Sequence, residues 1–136
     1  MTIDEMLRNA DTVAVIGCSA KQYRTSHHIA KYLIDHGFTI IPINPNEDKI
    51  FGLNCLDSIN EVPVDKTVDI VNIFRNKKYT LDMVKEIVEW KERTGQTPVI
   101  WTQLDVSTEE SKNLARESGF QYVENRCMMV EHRKEH

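Results

Sequence analysis

Short apolar runs recur along the chain with helix-spaced segments between them, and this alternation limits the possible folds more than any other feature. Val13 to Ile16 is apolar without a break, which predicts a strand buried on both faces rather than one with a wet side. Ile29, Ala30, Leu33 and Ile34 then share a helical face, and Gly37 stops that helix. Phe38 to Ile43 is a second β-rich run, in which Pro42 points to a sheet edge or a strand end, and Asn44-Pro45-Asn46 closes it. Val68 to Phe74 predicts another strand, followed by a helix from about Thr80 that buries Met83, Val84, Ile87 and Val88 and ends at Gly95. Pro98 to Trp101 starts a further strand.

After it, Ser107-Thr108-Glu109-Glu110 has capping-box spacing, Leu114 and Ala115 face inward, and Gly119 ends the helix. Phe120 to Val123 is the last strand, with Asn125 placed to cap a final helix from Arg126. Thr2 and Glu5 carry the same capping-box spacing in front of a short opening helix. Residues 46 to 66 are polar and predict one extended piece near Ile50 to Leu53, then a single helical turn.

Strand and helix alternate about four times, so the expected fold is α/β: a Rossmann-like doubly wound parallel sheet of about five strands, with right-handed crossovers and helices on both faces. With 136 residues and 40% hydrophobic content, one domain spanning residues 1–136 is expected. Ligands of such sheets sit beyond the carboxyl ends of the strands at the switch point. The loops Gly17 to Ser26, Asn44 to Asn46, Phe74 to Asn76 and Thr102 to Asp105 should therefore converge.

The bulk properties exclude several classes. A net charge of −4 offers no basic face for nucleic acid. The N-terminus has no apolar signal region, and no run of about 20 apolar residues occurs, so a cytoplasmic protein away from membranes is expected. Cys18, Cys55 and Cys127 are odd in number and widely spaced, which reads as reduced thiols rather than a disulfide frame or a zinc site.

The first strand–helix turn carries the chemistry. Gly17 allows close backbone approach, Thr25 or Ser26 is placed to cap the next helix, and the amides of that helix start suit an anion. Lys21 and Arg24 add full positive charge. No G-K-[ST] follows Gly17, so a Walker loop is excluded. A dinucleotide is disfavoured because the second and third fingerprint glycines are missing and the second strand ends in Asn44 rather than an acid.

Six motifs then fall in order: V-A-V-I-G-C-S, an R-x-S from Arg24, I-P-I-N-P after the second strand, I-F-R after the next, W-T-Q after the fourth, and N-R-C-M-M-V-E-H near the end. Together they resemble the stand-alone CoA-binding protein family, which is similar to the CoA-binding N-terminal domain of the succinyl-CoA synthetase alpha subunit. The resemblance runs from about Val13 to Arg133. It implies a small cytoplasmic domain that binds coenzyme A. Gly17, Cys18 and Ser19 would lie against the phosphates or the start of the pantetheine, and Arg24 and Ser26 would clamp the diphosphate. Asn44 and Pro45 would border the adenosine, Phe74 and Arg75 the pantetheine, and Gln103 its far end. A loop rich in side-chain donors suits the extra 3′-phosphate of CoA better than it suits NAD.

No nucleophile with a partner base is recognisable, so a binding module is expected more than an enzyme. His27, His28, His36, His132 and His136 read as surface histidines, and the i, i+4 spacing of His132 and His136 is not taken as a metal site. Cys18 reads first as a small packed residue; a thiolate beside the helix start and Lys21 is the alternative. Cys127 and Met128 to Val130 read as apolar packing. An NAD(P)-dependent enzyme and a ligand-free interaction domain of the same fold remain the alternatives, and any protein partner is left open.

Overall fold

A computed structural model describes residues 1–135, so His136 lies outside the described residues. Its main sheet has five parallel strands: β1 (Thr12–Ile16), β2 (Thr39–Ile43), β5 (Ile70–Ile73), β6 (Val99–Thr102) and β7 (Tyr122–Val123), in the spatial order β2-β1-β5-β6-β7. The order reverses between β1 and β5, which puts the switch point there. Pro42 lies on the edge strand, opposite Val15, and its carbonyl accepts from Leu56 N–H on the outer side at 3.0 Å. The missing proline N–H therefore costs no ladder bond.

Two apolar layers cover the sheet. On one face α1 (Ile3–Asn9), α2 (Thr25–Asp35) and α5 (Met128–Glu135) bury Met6, Leu7, Ile29, Leu33 and Met128 against Val13 and Val15. On the other, α3 (Thr80–Thr94) and α4 (Glu109–Glu117) bury Val84, Ile87, Trp90 and Ala115 against Ala14 and Ile16. Successive β1 residues thus feed opposite layers, as strand alternation requires when both faces are covered. Among the described residues no helix is long and apolar enough to cross a membrane, and no group of three or more His, Cys, Asp or Glu is placed to hold a metal.

Four local expectations are corrected. Ile50 to Leu53 is the turn of a hairpin, β3 (Lys49–Ile50) against β4 (Leu53–Asn54), and Phe51 and Gly52 both take positive φ at its tip, 56° and 74°. Thr108, not Ser107, caps α4, because its hydroxyl accepts from Ser111 N–H at 3.2 Å while Ser107 is held by the Tyr122 hydroxyl at 2.7 Å. Asn125 caps nothing: its side chain accepts from Asp105 N–H, and α5 begins at Met128. His132 is buried, with Nδ1 2.7 Å from the Tyr32 hydroxyl, because α5 packs across α1 and α2.

Candidate functional site

The site begins where β1 ends. Gly17 has φ +85° and donates its N–H to the Ile43 carbonyl at 2.8 Å. A Cβ there would stand 3.1 Å from Arg75 Cδ, so a side chain would both strain the backbone and push on the loop after β5. The next residue, Cys18, is fully buried, and burial, with Cys55 nearby, pushes its thiol up to about 12. Burial therefore favours the packed reading of this cysteine over the reactive one.

Ser19 organises the loop. Its N–H donates to Ser26 Oγ at 3.1 Å, its Oγ accepts from Lys21 N–H at 3.1 Å, and its carbonyl lies 2.8 Å from His27 Nδ1. The hydroxyl of Ser26 is therefore spent inside the loop and does not cap α2. Thr25 does not cap it either: the cap position belongs to Arg24, which makes no side-chain bond to the helix, and the first turn contains no acid. The first amides of α2 are left to whatever fills the space in front of them.

That space is a cleft of about 440 Å³ lined by Gly17, Ser19, Lys21, Arg24, Thr25, Ser26, Asn44, Asn46, Glu47 and Phe74. Two loops remote in sequence meet here because Asn44 braces them. Its Nδ2 donates to the Cys18 carbonyl and its Oδ1 accepts from Asn46 N–H, each at 2.9 Å. Glu47 was not legible as a site residue. Its N–H donates to the Asn44 carbonyl at 3.2 Å, and this turn sets it in the lining of the cleft. A carboxylate close to the end of β2 thus exists, although the residue ending the strand is not one.

The remaining expected residues lie elsewhere. Pro45 and Arg75 line a neighbouring hollow of about 210 Å³ whose walls are Ile16, Ile43, Ile59 and Met83, with Asp57, Ser58 and Glu86 at the polar side. The Arg75 guanidinium sits over the Tyr79 ring at 4.6 Å. Burial raises the Glu86 carboxyl above its usual range, Glu89 and Asp82 add to this, and Arg75 opposes it. Gln103 lines neither space; its side chain is buried, and its N–H donates to the Ile73 carbonyl at 3.2 Å. Beyond β6 and β7 a third, open hollow of about 700 Å³ is lined by Asp105, Ser107, Glu124, Asn125 and Arg126. The hydroxyl of Ser107 holds the Glu124 carboxyl below its usual range.

Apart from the Glu47 carboxylate, the cleft has the parts of an anion cradle: an uncapped helix start, two exposed cations, the hydroxyls of Ser19, Thr25 and Ser26, and a glycine that lets a ligand approach the backbone. Several known proteins are similar to this chain. The YneT protein of Bacillus subtilis (strain 168) is 33% identical over 130 residues, 96% of this chain and 91% of YneT. A solved structure of a hypothetical protein from Pyrococcus horikoshii OT3 has a TM-score of 0.88 at 31% identity, covering 97% of this chain and 88% of that one. An ADP-forming acetate–CoA ligase of Methanocaldococcus jannaschii is 37% identical over 60 residues, which are 44% of this chain but 8% of the ligase. Residues 11–133 match the family described as CoA binding domain, nearly from β1 through α5, and the chain belongs to that family.

Proposed function

We propose that this chain binds coenzyme A or an acyl-CoA, with the diphosphate held on the first turn of α2. The observation that carries the reading is the start of α2: no side chain caps it, no acid sits in its first turn, and it opens on a cleft that also holds Lys21 and Arg24. A diphosphate there would accept from the helix amides, with Arg24 and Lys21 supplying charge-assisted bonds. Asn44 and Pro45 border the adenosine, Phe74 and Arg75 the pantetheine, and Gln103 its far end. The residues around the cleft bind and orient, and the reading assigns none of them a reaction step; it is a binding module.

Glu47 favours a second reading. A carboxylate near the end of β2 is where a dinucleotide fold accepts hydrogen bonds from ribose hydroxyls. It would also repel a 3′-phosphate placed beside it. The two readings separate in a thermal-shift comparison of CoA, dephospho-CoA, NAD and NADP at equal concentration. A ligand that binds only the native state at a hundred times its Kd adds about 2.7 kcal/mol of stability. The proposal expects CoA to raise Tm most, dephospho-CoA less and NAD least. A larger shift with NAD than with CoA would overturn it.

A further inference from the structure

Asn72 is the penultimate residue of β5, between Val15 of β1 and Trp101 of β6. It is fully buried, yet neither its Oδ1 nor its Nδ2 has a hydrogen-bond partner. Gln103, just past the end of β6, is also buried and its Oε1 is unpartnered. Strand alternation puts the two amides on one face. Ile70 and Trp101 belong to the layer under α1, α2 and α5, whereas Val71, Ile73 and Ile100 belong to the opposite layer, so Asn72 and Gln103 share the first face. Buried amide groups are costly when unpaired, and an apolar side chain of similar size would remove that cost. Two such side chains on the same face, near the carboxyl ends of adjacent strands, point to a ligand that supplies the missing partners.

Phe74 joins them to the cleft. It is the next residue after Asn72 on that face, it continues the ladder by donating its N–H to the Ile16 carbonyl at 2.9 Å, and it falls beside Gln103 in register. Its half-buried ring packs on the same apolar layer and also lines the anion cleft. We propose that Asn72 adds a buried hydrogen-bonding floor for the amide-bearing pantetheine arm of CoA, beside the Gln103 already assigned to that arm, reached when the Phe74 ring turns aside. The proposal rests on the CoA reading above. Each secondary amide of the arm brings one N–H donor and one carbonyl acceptor; Asn72 offers a carbonyl acceptor and an NH₂ donor group, and Gln103 Oε1 offers an acceptor. The nucleotide half of the ligand, held at the start of α2, has no part in this contact.

Titration calorimetry on the full chain, with CoA and with adenosine 3′-phosphate 5′-diphosphate, the nucleotide that keeps the diphosphate and lacks the arm, tests the assignment. Asn72→Leu should weaken CoA binding about tenfold or more while leaving binding of the nucleotide unchanged, and the ligand-free variant should melt no lower than the parent. Gln103→Met should show the same selective loss, and it carries the test alone if Asn72→Leu does not fold. Unchanged CoA affinity in the folded variants, or equal losses for both ligands, would overturn the proposal. So would a parent protein that binds CoA no more tightly than the nucleotide. A parent that binds neither would overturn the CoA reading and this proposal with it.

Discussion

Two helices start at the carboxyl ends of strands in this sheet and treat their first turns in opposite ways. At α4, Thr108 caps the helix, its hydroxyl lies 2.6 Å from that of Ser111, and Glu109 and Glu110 sit in the first turn. At α2, Arg24 occupies the cap position without capping, and the first turn has no acid. Hydroxyls were available in both places, since Thr25 and Ser26 open α2. The difference is where the loop sends them: Ser26 is turned toward Ser19 N–H. A cap is worth about 1 kcal/mol and first-turn acids about 0.3–1 kcal/mol each, so α4 takes its stabilisation from its own residues. The start of α2 forgoes that stabilisation and keeps its positive end available. The neighbouring hollows differ in charge as well: Lys21 and Arg24 line the cleft at α2 with one acid, Glu47, while Asp105 and Glu124 line the hollow beyond β6 and β7 with one cation, Arg126.

The sharpest way to break the contrast is at Gly17. Gly17→Val should abolish measurable CoA binding, because the side chain meets Arg75 and strains the positive-φ turn that lines the cleft. It should also lower stability by about 1–2 kcal/mol, the cost of left-handed backbone for a residue with a Cβ. Circular dichroism beside a CoA titration checks both, and a folded variant that binds CoA normally would place the ligand elsewhere.

A middle-sized effect is expected at the capped helix. Thr108→Ala should cost about 1 kcal/mol in urea unfolding and leave CoA affinity as it was. Altered affinity would mean that the two helix starts are not independent. The smallest change is to give α2 what α4 already has. Thr25→Asp places an acid in the first turn and should stabilise the ligand-free protein by about 0.3–1 kcal/mol while weakening CoA binding. If stability and affinity rose together, the start of α2 would not be where the anion sits.

Much of this was legible in the chain itself. The continuous run Val13 to Ile16 marks a strand covered on both faces, Pro42 marks the edge, and the alternation of strands and helices places Gly17, Ser19, Arg24, Asn44 and Phe74 around one cleft. What stayed hidden depends on contacts between remote segments. Ser107 and Thr108 are equally good caps by residue type, and the Tyr122 hydroxyl decides between them. Glu47 enters the cleft only through a turn onto Asn44, and His132 is buried only because α5 crosses α2. Asn72 lies inside an apolar run and reads as one more strand residue until its buried amide is found without a partner.

The central claim is that a diphosphate sits on the α2 amides with Arg24 closing over it, and titration calorimetry of Arg24→Ala with CoA at several salt concentrations tests it most directly. A charge-assisted pair from a planar guanidinium is worth about 1.5–3 kcal/mol, so CoA affinity should fall about ten- to a hundredfold. Arg24→Lys should restore only part of the loss, both variants should depend less steeply on salt than the parent, and the ligand-free protein should keep its stability. An Arg24→Ala variant that binds CoA as tightly as the parent, with the same salt slope, would contradict the account.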